Sequence, residues 1–433
     1  MASLRVINSS EITEENISKF IPRNIGQLEE IQYVVLDIIN QVKSKGDKAL
    51  IELTSKYDNL ELDESEIQVN NNEIDEAYTN IDEDLLNALR FAKNNLIKFH
   101  KAQIKEDWFI NIKNGVKAGQ IYRPLNSVGL YIPGGRAIYP STVLMAATPA
   151  FVVGVKNIIL CSPPQKNKKI APEILVAAKE FKIDKIYRVG GAQAIAAMAY
   201  GTKTISKVQK VIGPGNKWVN TAKQLLSNTI AIDNPAGPSE ILIIVDESSD
   251  VNLIALDFLS QLEHDPDNLG IILCHSSKII KEINNHIDLK LQECERIEII
   301  KAALEKSLII NTENLEDSIR ISNIIAPEHL ELLIKDPKKI LRKINNAGAI
   351  FLGPFSPVPL GDYSAGTNHI LPTGGNAIKY SGLNVYDFLK IIDVLECDKD
   401  GLKILSDSAI KIAEFEGLFA HKKSIEERLK RKN

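Results

Sequence analysis

The sequence predicts an α/β protein built on largely parallel sheets. From Gln120 onward, short apolar runs alternate with segments of helical period. The runs are numerous enough to suit two sheets better than one. Glycine-rich pieces fall where several of these runs end, and the carboxyl ends of strands are where open α/β sheets hold their ligands.

At 433 residues the chain points to about two to three domains. Its 44% hydrophobic and 25% charged residues are typical of a soluble globular protein. A net charge of −4 argues against a general nucleic-acid binder, which needs a basic surface for phosphates. The first residues, Met-Ala-Ser-Leu-Arg-Val-Ile-Asn, lack the apolar stretch of a secretory signal. No apolar run approaches the roughly 20 residues of a membrane span. A cytoplasmic protein with no membrane partner is expected. Cys161, Cys274, Cys294 and Cys397 have no CxxC spacing and read as reduced thiols, with no cysteine metal site.

The first hundred residues read as mainly helical. Gln27 to Lys45 places Leu28, Ile31, Val34, Val35, Ile38, Ile39 and Val42 at a helical period. Asp82 is a plausible N-cap for a second helix reaching about Lys101, with Leu85, Leu89, Ala92, Leu96 and Phe99 on one face. His100, at its end, reads as a surface residue that complements the helix dipole. Strands are expected at Val128–Ile132, Asn157–Cys161, Lys185–Val189, Val208–Ile212, Thr229–Ile232, Ile241–Val245, Gly270–Cys274, Ser307–Ile310 and Ala349–Leu352. A glycine-rich stretch follows Leu360. A predominantly helical tail runs from about Val385, its closing Lys422 to Lys432 a solvated helix end.

The chemistry-bearing stretch is Ile324 to Leu332, which sets Glu328 beside His329 on a proline-interrupted bend entering an apolar segment. In the first turn of a helix both could reach one cleft, which suits two proton transfers on one substrate. Taken alone, the dipeptide also fits a solvated helix start. Four glycine-rich pieces, beginning at Tyr131, Gly190, Gly213 and Pro235, would let a ligand approach backbone N–H groups, with Gln193 and Asn216 adding amides. Each read singly is a tight turn, and none is a GxGxxG fingerprint. Gln261 and His264 share a helix face at three-residue spacing, a pattern that also fits a capped helix end. Asp362 and His369 lie in a glycine-laced loop, and Glu414, Glu416 and His421 on the tail. A set of Gln261, His264, Asp362 and His421 would suit Zn²⁺, with Mn²⁺ or Co²⁺ chemically admissible for sulfur-free ligands.

The motifs GLYIPGG, PSTVLMAATPA, GGAQAIAA, GPGN, DNPAGPSE, SQLEHDPD, IAPEHLEL, GDYSAGTNHILPTGG and AEFEGLFAH together resemble the histidinol dehydrogenase family, from about Tyr122 to Arg428 at high density. The resemblance implies two successive NAD-dependent oxidations, converting L-histidinol through the aldehyde to L-histidine at the end of histidine biosynthesis. It places zinc on Gln261, His264, Asp362 and His421. The base on the substrate hydroxyl becomes His329, and the group activating water becomes Glu328. Substrate contacts fall also on Ser239, His369 and Glu416, and cofactor contacts on Tyr131, Gln193 and Asn216. It further implies two incomplete Rossmann-like domains and a homodimer in which one subunit's tail completes the other's site. The expected partition is 27–130 with 239–383 as the zinc and catalytic domain, 1–26 with 131–238 as the NAD domain, and 384–433 as the helical tail. A zinc-dependent hydrolase and a non-catalytic metal-binding relative are the rival readings.

Overall fold

The computed structural model describes residues 4–21, 23, 28–134, 138–234 and 237–431. Gln27, Gly135, Pro235, Ala236 and Lys432, which fall within the expected helices and glycine-rich pieces, lie outside the described residues.

Strands Arg5–Asn8, Leu308–Asn311, Leu269–Cys274, Glu240–Val245, His329–Leu333 and Ala349–Leu352 form a six-stranded, wholly parallel sheet in that spatial order. The sequences EILIIV and LGIILC are buried at every position, as a parallel sheet covered on both faces requires. On one face Ile241, Ile243 and Ile272 pack against Ile254 and Phe258 of the helix Val251–Leu262 and against the helix Ser277–Leu291. On the other, Leu242, Ile244 and Leu273 meet Ile319 and Ile325 of the helix Leu315–Ile325.

A second parallel sheet orders Lys185–Arg188, Asn157–Ser162, Ser127–Tyr131, Lys210–Ile212 and Ala231–Ile232. The helix Glu83–Lys101 lays Leu89, Ala92 and Leu96 on one of its faces, beside the helices Pro140–Val153 and Pro172–Lys179. Asp82 caps that helix by accepting from the Leu85 N–H at 2.9 Å, as expected. The helix Leu28–Lys45 covers the opposite face through Val35, Ile38, Ile39 and Val42, with the helices Gly191–Tyr200 and Lys217–Leu226.

A third, antiparallel sheet joins Leu389–Cys397, Val116–Pro124 and Trp108–Lys113, and the chain closes with the helices Lys399–Phe415 and Phe419–Leu429. This end of the molecule exposes Phe109, Ile110, Ile391, Leu395, Phe415 and Phe419, with Phe415 92% accessible. Among the described residues no helix is long and apolar enough to cross a membrane.

Several expectations change. The segment Arg5–Asn8 extends the six-stranded sheet, while residues 28–101 and the strand Ser127–Tyr131 belong with the five-stranded one. These segments sit opposite to the expected partition, and Trp108–Lys113 with Val116–Pro124 join a third sheet, because strand pairing and buried faces, not nearness in sequence, decide membership. The tail opens with a 3₁₀ turn, Val385–Phe388, and then a strand, because Leu389–Cys397 finds the free edge of Val116–Pro124. His329 begins a strand instead of a helix. His100 is fully buried, its Nδ1 2.9 Å from Gln103 Oε1 and its Nε2 3.3 Å from Asn368 Nδ2, and burial lowers its pKa.

Candidate active site

The helix Leu315–Ile325 ends with Ala326 in the left-handed conformation, φ 51°, and Pro327 then prevents its continuation. Glu328 follows in the bend, and His329 opens the strand between Glu240–Val245 and Ala349–Leu352. Both side chains are buried at the amino edge of the six-stranded sheet. Glu328 Oε2 accepts from Ser239 Oγ at 2.6 Å and from the Glu240 N–H at 2.8 Å. Burial pushes Glu328 up to about 7, against the opposing pull of His329 and of those two hydrogen bonds.

His329 Nδ1 lies 3.1 Å from the Glu240 carbonyl and 3.5 Å from Glu328 Oε2. Bonding to a carbonyl places the proton on Nδ1 in the neutral ring, leaving Nε2 as the basic nitrogen. Nε2 is 3.6 Å from Asp362 Oδ1 and makes no hydrogen bond among the described residues. Burial would lower this imidazole's pKa, but the carboxylates of Glu328 and Asp362 and the Glu240 carbonyl outweigh it and raise it to about 9.

Asp362 sits near the end of the short helix Val358–Tyr363. Burial opposes its ionisation, yet His329, His369 and His264 more than offset that and lower its pKa. Its backbone carbonyl lies 2.9 Å from His369 Nδ1, and His369 Nε2 lies 3.4 Å from Thr142 Oγ1. Burial lowers the pKa of His369 and of His264, in each case against the charge of Asp362. His264 stands just past the helix Val251–Leu262 and lines a cavity of about 440 Å³ with Tyr139, Arg296 and Tyr363. Gln261 is buried on the last turn of that helix.

Three contributors were not evident from sequence. Asn268 donates to the Gln261 carbonyl at 2.7 Å and accepts from the Ser239 N–H at 3.0 Å, linking two candidate residues. Thr142 steadies His369 from the helix Pro140–Val153, which covers the other sheet. Glu240 holds His329 through its backbone carbonyl and pairs with Arg23 at 2.9 Å through its side chain. Thr142 and Glu240 lie inside PSTVLMAATPA and DNPAGPSE, and Asn268 directly follows SQLEHDPD, but nothing local singled out any of the three.

The tail residues stand apart. Glu416 and His421 are exposed, and among the described residues no cluster of three His, Cys, Asp or Glu side chains is arranged to hold a metal ion. The chain thus gathers His264 and Asp362, close enough to feel each other's charge, beside a buried Gln261. Imidazole, carboxylate and amide form a nitrogen and oxygen donor set that fits Zn²⁺, with one more ligand to come from elsewhere.

A groove of about 1150 Å³ opens at the carboxyl end of the five-stranded sheet and is lined by Tyr131, Gln193 and Asn216. It shares Ile138 with the His264 cavity. Tyr131 Oη accepts from the Gly191 N–H at 3.1 Å, and burial raises its pKa to about 12. Asn216 caps the helix Lys217–Leu226 through Oδ1, which leaves its amide N–H groups for a ligand. Gly213 holds φ 123°, and a Cβ there would sit 2.0 Å from the Tyr131 carbonyl. A buried ion pair pins this turn. Lys223 Nζ donates to the Gly213 carbonyl and, at 2.5 Å, to Asp233 Oδ1, while the Gly213 N–H donates to Asp233 Oδ2 at 2.7 Å. Ser239 and the Glu328 pair, by contrast, lie at amino ends of strands, so the expected rule for carboxyl ends describes only the groove.

Two parallel sheets, a ligand groove at the carboxyl end of one and a buried acid-base pair at the amino end of the other fit a dehydrogenase class of α/β protein. The model of the histidinol dehydrogenase family matches residues 21–429. The chain is 47% identical to a histidinol dehydrogenase of Methanocaldococcus jannaschii, over 97% of each chain. It is 44% identical to one of Clostridium acetobutylicum, over 99% of each. The crystal structure of histidinol dehydrogenase from Elizabethkingia anophelis superposes with a TM-score of 0.95 at 39% identity, covering 99% of this chain and 98% of that one. The chain belongs to the histidinol dehydrogenase family, whose members are NAD-dependent oxidoreductases.

Proposed function

We propose that this chain oxidises L-histidinol to L-histidine through a bound aldehyde, by two hydride removals at one site that close histidine biosynthesis. The observation that carries the reading is the buried Glu328 and His329 pair, 3.5 Å apart and beside Asp362. When bound, NAD in the Tyr131, Gln193 and Asn216 groove would accept hydride, and Zn²⁺ held by Gln261, His264, Asp362 and a His421 would orient the substrate's amine and imidazole.

His329 is fixed through Nδ1, so its neutral ring presents Nε2 to take the substrate's hydroxyl proton as hydride leaves. Asp362, once committed to a metal, pulls less on the His329 proton, which brings the imidazole nearer to a working base. The two hydrogen bonds to Glu328 and its contact with His329 all engage Oε2, leaving Oε1 to receive a proton from the water that hydrates the aldehyde. The hydrate is a second carbinol, so the same His329 nitrogen serves the second oxidation. Burial of the pair keeps bulk water from the intermediate. Ser239 and His369 would contact the substrate, and Glu416 would meet its ammonium group.

A homodimer with shared sites accounts for the remaining ligand. The tail offers Glu416 and His421 together with exposed Phe415 and Phe419, an apolar surface that suits docking on a second copy. The test is NADH formation from purified protein, L-histidinol, NAD and Zn²⁺, with a chelated control. Two NADH per histidinol, lost on chelation, is the expected result. Hydrolytic turnover without NAD would favour a zinc hydrolase, and zinc binding without turnover a non-catalytic relative.

A further inference from the structure

The strand His329–Leu333 carries two titratable side chains on one face, and the chemistry above uses only the first. Glu331 lies two residues beyond His329, so both project to the same side of the sheet. It is fully buried mid-sheet, opposite Ile243 on one neighbouring strand and Phe351 on the other. A carboxyl group in such a place is costly unless it is bonded. Its Oε1 accepts from the backbone N–H of Val358 at 3.0 Å. Among the described residues its Oε2 has no hydrogen-bond partner.

Each segment around Glu331 carries a site residue one structural repeat further on. Val358 opens the helix Val358–Tyr363, and Asp362 follows four residues later on the same helical side. Asp257, on the helix Val251–Leu262, comes four residues before Gln261. Its charge reaches Glu331 and, after burial, is the main force raising that carboxyl's pKa. Glu331 shares its face of the sheet with Ile243, its cross-strand neighbour, which packs against Ile254 and Phe258 of that same helix.

We infer, resting on the zinc-dependent reading above, that Glu331 is a positioning residue. It ties the Asp362 helix and the Gln261 helix to the strand that presents His329, one layer beneath the metal ligands. It touches neither substrate nor metal.

The experiment measures Zn²⁺ affinity by chelator competition, together with steady-state kinetics, on the full-length protein and three variants. Glu331→Leu should weaken Zn²⁺ binding about 10- to 100-fold, the usual effect of losing a group that orients a ligand. It should also lower kcat while leaving the KM for NAD unchanged, because the groove belongs to the other sheet. Glu331→Gln keeps the acceptor and places an N–H where Oε2 stood, so it should restore Zn²⁺ affinity to within about threefold. Val358→Pro deletes the donated N–H at the first helical position, where proline fits, and should reproduce the zinc loss with the carboxyl intact. Wild-type zinc affinity in Glu331→Leu and Val358→Pro overturns the inference, as does a loss in Glu331→Leu that Glu331→Gln leaves unrepaired. If Glu331→Leu does not fold, Val358→Pro decides on the same readouts. The wild-type control separates the two levels. A wild type without zinc binding or NADH formation overturns the proposed function, whereas a working wild type with unaffected variants overturns the role of Glu331 alone.

Discussion

Replacing Asp233 with asparagine should cost about 3 to 5 kcal/mol of stability, because it strands a buried lysine. Lys223 is 2% exposed, and its charged partner is Asp233 at 2.5 Å. Asp233 accepts two hydrogen bonds, one from that ammonium and one from the Gly213 N–H. Losing the bond from the ammonium forfeits about 1.5 to 3 kcal/mol, and the uncompensated lysine charge accounts for the rest. The amide of Asp233→Asn can still accept from Gly213, but its N–H group would face the ammonium. The Gly213 turn lines up with Tyr131 and Asn216 in the groove, so loosening it should also raise the KM for NAD about tenfold while changing kcat less. Urea unfolding and NAD titration of Asp233→Asn, Lys223→Met and the double variant would measure both effects. The double variant, with no stranded charge, should recover much of what each single variant loses. A loss below about 1 kcal/mol in Asp233→Asn, or simple additivity in the double, would refute the argument that the pair matters as a pair.

Other outcomes follow from the same geometry. His329→Asn should keep zinc and substrate binding while kcat falls about 10²- to 10⁴-fold in NADH assays; normal turnover would remove His329 as the base. Mixing inactive Glu328→Gln and His421→Ala proteins should restore about a quarter of wild-type activity, since random dimers would contain one intact shared site in every four; no recovery would place both residues in the same subunit's site. Gly213→Ala should cost about 3 kcal/mol or more in unfolding experiments, because its Cβ meets the Tyr131 carbonyl in a conformation that disfavours side chains. Glu73 faces Arg188; burial opposes its ionisation, but the guanidinium prevails and lowers its pKa. A lowered carboxylate pKa means stability is present above the ordinary 4.5 and is lost as pH falls through the folded-state value. Glu73→Gln should therefore flatten the acid limb of a stability profile, and an unchanged limb would show that this pair does not govern it.

Sequence and structure diverge in instructive places. The helices Leu28–Lys45 and Glu83–Lys101 were legible because one apolar stripe faces one sheet, and buried runs such as EILIIV announced themselves as parallel strands. The strand His329–Leu333 was not legible, because two of its five buried side chains are ionisable and break the apolar pattern a core strand normally shows. Pairing partners were equally hidden: nothing local in Arg5–Asn8 names Leu308–Asn311, and nothing in Leu389–Cys397 names Val116–Pro124. His100 looked like a surface residue because a helix end usually is one, whereas here Asn368 closes over it. At the site, Glu328, His329, Asp362 and His369 come together from separate stretches of sequence, and Tyr131, Gln193 and Asn216 share one groove. Glu416 and His421 stand apart from them, exposed on the tail.

The strand Arg5–Asn8 has a consequence for the order in which the molecule is made. Asn8 and Asn311 bond to each other across 303 residues of chain, so this edge of the six-stranded sheet stays unfinished until most of the polypeptide has been synthesised. The five-stranded sheet and its covering helices use residues between Leu28 and Ile232 and can form while the ribosome is still translating the second half, with Ile370, Leu383 and Phe388 completing their core later. Until the amino terminus docks, Leu308–Asn311 presents an open row of backbone donors and acceptors flanked by isoleucine, the kind of template that recruits another chain. A bulky fusion placed ahead of Arg5 would prolong that exposure, and its cost would appear first as aggregation during expression instead of as a slower enzyme.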